Sequence, residues 1–161
     1  MNFAQKILSP AELTPWRAGL RNAGKKLVVT NGCFDLLHVG HVTYLEQARQ
    51  QGDALLVGVT NDAGVRALKG LNRPVNEAAD RASVLAALQS VDGVHIFPEP
   101  DARAFLAVVQ PDIYVKGGDY TMETINQEER RLLEQLRVKI VILPIVPGKS
   151  TSALLQKINR L

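Results

Sequence analysis

The chain has 161 residues, 46% of them hydrophobic and 22% charged, a length and balance that fit one globular domain and exclude a disordered or fibrous chain. Its net charge of +3, from 19 basic and 16 acidic residues without an uninterrupted Lys/Arg run, favours anionic small molecules and argues against nucleic acid as a partner. A single cysteine, no apolar stretch of ~18 residues and no charged-then-apolar leader exclude an intrachain disulfide, a spanning helix and a signal peptide, and lead us to expect a cytoplasmic protein without a membrane partner.

Residues 1–25 differ in character from the rest of the chain. Pro10 and Pro15 flank a short polar stretch, and a helix is expected around Trp16–Asn22. This segment reads as an N-terminal appendage to a domain spanning 26–161. Lys26-Leu-Val-Val-Thr30 is an apolar run of the kind that forms a buried strand, and Tyr44, Leu45 and Ala48 then recur at helical spacing with Gly52 as a stop. A second strand is expected over 53–60, and Asn61-Asp62 opens a polar loop. Residues 77–90 read as a helix with Asn76 as N-cap and Val84, Leu85 and Leu88 along one face. A third strand over 93–97 is closed by Pro98 and Pro100, a helix over 101–109 leads to a strand over 113–116, and 127–137 form a charged helix. A fifth strand over 139–143 and a final helix over 152–159 complete the chain.

Val-, Ile- and Leu-rich strands alternating with helices predict an α/β fold, doubly wound and Rossmann-like, with a five-stranded parallel sheet and helices on both faces. Ligands of such sheets bind beyond the C-terminal strand ends, where strand order reverses. The loops at 31–41, 61–76, 117–120 and 144–152 each follow a strand, so they converge on one crevice.

The first of these loops is the most informative. Thr30-Asn31-Gly32-Cys33-Phe34-Asp35-Leu36-Leu37-His38-Val39-Gly40-His41 joins a strand to a helix N-terminus, where unpaired backbone N–H groups and the positive dipole end make a phosphate site. His38 and His41, three positions apart in the first turn, share one face beside those groups. Half a metal site or plain surface polarity are the competing readings. A zinc site wants further ligands, and only Cys33 and His95 remain to supply them.

The segment from Gly32 to His41 resembles the signature of the cytidylyltransferase-like nucleotidyltransferases, which share a loop ending in His-x-Gly-His. Leu68-Lys-Gly-Leu-Asn-Arg-Pro-Val-Asn76, Val115-Lys-Gly-Gly-Asp-Tyr120 and Gly148-Lys-Ser-Thr-Ser152 together resemble the heptose-1-phosphate adenylyltransferase branch, found fused behind a sugar kinase or as a separate chain. Residues 1–25 then read as a remnant of a linker to such a kinase. The resemblance runs from about Lys25 to the C-terminus and implies transfer of AMP from ATP to a heptose 1-phosphate with release of pyrophosphate. Magnesium would ride on the triphosphate, with no protein metal site, and a homodimer is implied by family analogy. The same chemistry on another acceptor or base, such as glycerol 3-phosphate with CTP, and a nucleotide-binding module without catalysis are the alternatives.

The attacking phosphate is already an anion, so no strong base is needed; alignment and concentrated positive charge are. The resemblance assigns His38 and His41 as donors to the triphosphate, with Lys69 also catalytic. It implies nucleotide contacts from Thr30, Asn31, Gly32, Cys33, Phe34, Gly40, Lys116, Gly117, Asp119, Ser150, Thr151 and Ser152. For the acceptor it implies Asp35, Lys69, Arg73, Asn76, Arg81 and Asp119. Local readings compete at several of these. Asp35 could cap the following helix, Arg81 could pair with Asp80 or Glu77, and Ser150 to Ser152 could form an N-cap. Cys33 suits a small buried residue better than a nucleophile. Where glycerol-3-phosphate cytidylyltransferases carry an Arg a few residues before the last helix, this chain has Lys149 adjacent to it.

Overall fold

A computed structural model describes residues 2–118, 120–144 and 146–160. All five expected strands form: β1 (Leu27–Gly32), β2 (Ala54–Thr60), β3 (Gly93–Phe97), β4 (Ile113–Gly117) and β5 (Lys139–Leu143). They pair in parallel in the order β3-β2-β1-β4-β5. From β1 the chain steps outward through β2 to β3, then returns to the other side of β1 as β4. Strand order therefore reverses between β1 and β4, and a crevice opens beyond their C-terminal ends.

The helices are α1 (Pro10–Asn22), α2 (Val39–Arg49), α3 (Asp62–Lys69), α4 (Ala78–Ala86), α5 (Arg103–Val109), α6 (Gln127–Gln135) and α7 (Thr151–Ile158). Strand alternation splits the core in two. Leu27, Val29, Leu56 and Tyr114 pack with Leu13 of α1, Leu106 of α5 and Leu133 of α6 on one face. Val28, Leu55, Val57 and Val115 pack with Leu45 of α2 and Leu85 of α4 on the other. The expected doubly wound sheet with helices on both faces is the fold observed.

Four local expectations are corrected. α1 starts at Pro10 rather than Trp16, because Glu12 accepts from Ser9 N (2.9 Å) and Ser9 Oγ (2.6 Å) and Pro10 occupies the first turn. Residues 62–69, expected as loop, form α3. Asn61 caps it through Gly64 N (2.8 Å), Asp62 lies in its first turn and Arg66 and Lys69 in its last; its apolar face is only Val65 and Leu68, a stripe too short to stand out from a polar loop. The N-cap of α4 is Glu77, because Asn76 is turned back to donate to the Asp35 carbonyl (3.1 Å). That helix also ends at Ala86 rather than residue 90, and Lys6 Nζ takes up the carbonyls of Leu88 (3.1 Å) and Val91 (2.7 Å) beyond it.

The segment ahead of β1 is fastened to the sheet. Leu8 N donates to Val94 O (2.8 Å), and the buried Arg17 donates to Val109 O (3.1 Å), Gln110 O (2.9 Å) and Asp112 Oδ2 (3.0 Å). Among the described residues no helix is long and apolar enough to cross a membrane.

Candidate active site

A cavity of about 730 Å³ opens at the β1/β4 switch point. Its first wall is the β1–α2 loop. Phe34 takes a left-handed backbone (φ 46°) and its ring packs 5.5 Å from His41, turning the chain from β1 into the helix. His38 is the N-cap of α2, and its Nδ1 accepts from Gly40 N (3.1 Å). That bond fixes the tautomer: the proton of the neutral ring sits on Nε2, ready to donate. The His38 and His41 rings stack with centroids 4.0 Å apart. His41 Nδ1 is buried without a partner among the described residues.

Burial and the charge of neighbouring Lys149 hold His38 below the usual histidine range. Burial, then repulsion from His38, pushes His41 down to about 4. Two stacked imidazoles cannot both be cationic unless an anion sits against them. The pair is therefore neutral at pH 7 and primed to gain charge when a polyanion arrives.

Gly40 is required here for space. A Cβ at this position would stand 2.9 Å from both Cε1 and Nδ1 of His38 and 3.3 Å from the Lys149 side chain. Lys149, Ser150, Thr151 and Ser152 line the cavity next to the histidine loop. Ser150 caps α7 by accepting from Ala153 N (3.1 Å), and Thr151 Oγ1 donates to Leu36 O (3.1 Å), which ties the start of α7 to the histidine loop.

The floor is a polar network at the β1/β4 junction. Lys116 Nζ donates to Asn31 Oδ1 (3.1 Å), the Tyr114 hydroxyl lies 2.6 Å from the same oxygen and 3.1 Å from Glu129 Oε2, and Glu129 Oε1 accepts from Ala102 N (3.0 Å). Burial lowers the proton affinity of Lys116, while Glu129 works against that loss. Burial, followed by the nearby Glu129 charge, raises the Tyr114 phenol well above its usual value. Gly117 is small because the Tyr44 ring lies over it; the Tyr44 hydroxyl is 2.6 Å from Thr30 Oγ1 and donates to Val115 O (3.1 Å).

Of the residues predicted for the site, the cavity brings together Asn31, Gly32, Cys33, Phe34, Asp35, His38, Gly40, His41, Lys69, Arg73, Lys116, Gly117, Ser150, Thr151 and Ser152. Three others sit behind the wall. Thr30 is buried against Tyr44. Asn76 is turned back onto Asp35. Arg81, 1% exposed, donates to the carbonyls of Asn76 (2.9 Å), Cys33 and Thr60 (2.9 Å) and to Asp62 Oδ1 (2.7 Å). It pairs with Asp62 rather than Asp80 or Glu77 and braces the loops around the site. Asp119 lies outside the described residues.

Asp35 lines the cavity but is engaged locally, accepting from Val75 N, Asn76 N (both 2.9 Å) and Arg73 Nε (2.6 Å). Burial opposes its ionisation, yet the two amides and the guanidinium outweigh that and hold the carboxyl below its usual range. It shapes the 73–76 loop instead of capping α2, a place His38 occupies. Lys69 stands exposed at the end of α3, on the cavity rim.

Sequence reasoning missed Tyr44, Thr60, Asp101 and Glu129, which also line the cavity. For Glu129 a signal was present: it falls on the helical stripe of Ile125, Leu132, Leu133 and Leu136, a carboxylate among apolar residues. Among the described residues no cluster of three or more His, Cys, Asp or Glu side chains is disposed to hold a metal.

Comparison with known proteins agrees with this geometry. The model of the family described as cytidylyltransferase-like matches residues 29–156, which is most of the chain and all of the cavity's main walls. The chain belongs to the cytidylyltransferase-like family. Within it, the chain is 49% identical over 139 residues to the bifunctional protein HldE of Geotalea uraniireducens, covering 86% of this chain and 28% of that protein. It is 47% identical over 153 residues to HldE of Alkalilimnicola ehrlichii, covering 95% of this chain and 32% of that protein. The chain thus spans about three-tenths of the length of these relatives. Among solved structures, the lipopolysaccharide core biosynthesis protein of Thermoplasma volcanium superposes with a TM-score of 0.65 at 28% identity, over 78% of this chain and all of that one. A pantoate-beta-alanine ligase from Francisella tularensis, complexed with β,γ-ATP and β-alanine, shares the fold (TM-score 0.58, 14% identity, 96% of this chain and 79% of that one). The family match places the chain among the nucleotidyltransferases.

Proposed function

We propose that the protein transfers AMP from ATP to D-glycero-β-D-manno-heptose 1-phosphate, giving ADP-heptose and pyrophosphate for the inner core of lipopolysaccharide. The observation that carries this reading is the meeting, around one cavity, of the stacked His38–His41 pair, the Lys116-Gly117 strand end and the Ser150 to Ser152 helix start. The motifs that resemble the heptose branch supply those same walls, and HldE relatives and a lipopolysaccharide core protein are similar to the chain in sequence and fold.

The reaction makes one bond and breaks one. A phosphate oxygen of the sugar 1-phosphate attacks the α-phosphorus of ATP, and the bridging oxygen to the β-phosphorus departs with pyrophosphate. His38 Nε2–H and His41 donate to triphosphate oxygens, gaining proton affinity as negative charge accumulates beside them. Backbone N–H groups at the starts of α2 and α7 add donors, and Ser150, Thr151 and Ser152 sit where pyrophosphate leaves. Lys69 and Arg73 close over the phosphates from the rim, and Lys116 supplies positive charge at the floor. Magnesium enters as part of the nucleotide substrate, held by triphosphate oxygens and water. Because ATP is a cytoplasmic metabolite, the enzyme works in the cytoplasm, as a homodimer by analogy with its family.

The test is direct. Incubation with ATP, magnesium and the heptose 1-phosphate should release pyrophosphate stoichiometrically with ADP-heptose. No release above background, or faster release with glycerol 3-phosphate and CTP, rejects the assignment.

A further inference from the structure

The two ends of the cavity carry opposite chemistry. On the α2/α7 side stand His38, His41 and Lys149, all suited to phosphate. On the α5/α6 side the buried carboxylate of Glu129, 5% exposed, lines the wall. Among the described residues only Ala102 N and the Tyr114 hydroxyl donate to Glu129, and the single proton of that hydroxyl is shared with Asn31 Oδ1 at 2.6 Å. A carboxylate has about four lone-pair positions, so Glu129 keeps unused acceptor capacity toward the cavity. Asn31 complements it: both hydrogen bonds to its side chain fall on Oδ1, leaving its Nδ2 donors without a partner among the described residues.

The Tyr114 hydroxyl holds Glu129 Oε2 and Asn31 Oδ1 next to each other, which sets the spare carboxylate lone pairs near the free Asn31 Nδ2 donors; such a pair matches a ligand hydroxyl, which donates and accepts at once. These groups suit a phosphate less well than the α2/α7 side does: the Glu129 charge repels it, and Lys116, the cation of this network, already donates to Asn31 Oδ1 (3.1 Å) and offsets the carboxylate. They do not match an apolar body, since it would strand the carboxylate unsatisfied.

We infer that Glu129, with Asn31 beside it, is the specificity-determining residue for the acceptor, selecting a polyhydroxylated body whose hydroxyl donates to the carboxylate while its phosphate points to His38 and His41. This rests on the proposal that a phosphorylated acceptor shares the cavity with ATP. It adds which wall holds the sugar and why a polyol is preferred. A site built to satisfy a ligand hydroxyl rejects analogues lacking it, because its own buried polar groups are then left unpaired.

Glu129→Gln tests this with little change in shape: its carbonyl still accepts from Ala102 N, but the charge and one acceptor are lost. Protein saturated with α,β-methylene ATP would be titrated calorimetrically with the heptose 1-phosphate, mannose 1-phosphate and propyl phosphate. The expected result is a loss of sugar 1-phosphate affinity of about 10–100-fold, the range set by a hydrogen bond to a charged group. Propyl phosphate and the nucleotide should change less than about twofold, as a merely structural role would not arrange. Should Glu129→Gln prove unstable, Glu129→Asp keeps the charge one methylene back and should give an intermediate loss with the same selectivity. Equal weakening of all three phosphates, weakening of the nucleotide instead, or no weakening would overturn the inference. So would a wild-type protein that binds propyl phosphate as well as either sugar. Binding of mannose 1-phosphate but not the heptose by wild type, with the mannose phosphate lost in Glu129→Gln, would remove the heptose assignment and leave the role of Glu129 standing.

Discussion

Arg81→Met should destabilise the protein severely while removing no ligand contact. The guanidinium is 1% exposed and holds the carbonyls of Cys33, Thr60 and Asn76, together with Asp62. Methionine fills the space of the aliphatic stem but leaves those acceptors without donors, at about 1–3 kcal/mol for each buried group that water cannot reach. The Asp62 side chain is 29% exposed, so its ion pair is partly screened and contributes the smaller share. Breaking a buried charged network of this kind costs about 3–5 kcal/mol in total. Against a stability of about 5–15 kcal/mol, and at roughly 2–4 °C per kcal/mol for a domain of this size, the melting temperature should fall by about 6–20 °C. Thermal and urea unfolding followed by circular dichroism, without ligand, measures this, and Arg81→Lys should fall in between. A loss below about 1 kcal/mol, or normal stability with selectively weakened substrate binding, would refute the bracing role.

His38→Ala and His41→Ala should each lower turnover by about 10²–10³, the usual effect of removing one transition-state donor, with a much smaller change in ATP affinity; near-normal turnover in both would sink their assignment. Gly40→Ala should reduce turnover at least tenfold by displacing the His38 ring, whose atoms lie 2.9 Å from the new Cβ. Its melting temperature should hold within a few degrees, because alanine favours the helix by up to about 1 kcal/mol; unchanged turnover would show that the ring tolerates displacement. For His41 the folded state favours the neutral ring, with its pKa lowered from 6.5 to about 4. Between those values the unfolded chain binds a proton that the folded chain refuses, so stability falls as pH drops from 6.5 toward 4. His41→Gln should flatten that slope, and an equally steep slope in the variant would place its origin elsewhere. ATP binding near pH 5.5 should take up protons, visible as a calorimetric enthalpy that depends on buffer ionisation; a buffer-independent enthalpy would mean the triphosphate does not contact the rings.

Local chemistry made the sheet and the histidine end of the cavity readable from the chain. A strand buried on both faces of a parallel sheet is a continuous apolar run, as β2 is, and even the exposed-to-half-buried edge strand β5 keeps an Ile-Val-Ile-Leu run, so β1 to β5 were recognisable as Val-, Ile- and Leu-rich stretches without knowledge of their partners. The alternation with helices then implied the crevice. His38, Gly40 and His41 were legible because their shared helix turn and its cap are set by residues within three positions. Helix α3 was missed because its apolar face amounts to Val65 and Leu68 alone, too short a stripe to separate it from a polar loop.

Tertiary structure alone decided which charged residues face the cavity and which serve the fold. Arg81 and Asp35 carry motif positions, yet their partners are 19–48 and 38–41 residues away for the bonds that occupy them across loops. The helical stripe marked Glu129 as a carboxylate among apolar residues but not its partners, and only the pairing of β4 with β1 brings Tyr114 and Asn31 together against it. The physical reason is range. Caps, periodicity and strand burial are written into neighbouring residues, whereas the pairing and desolvation of a charge depend on elements that meet only when the sheet closes around them.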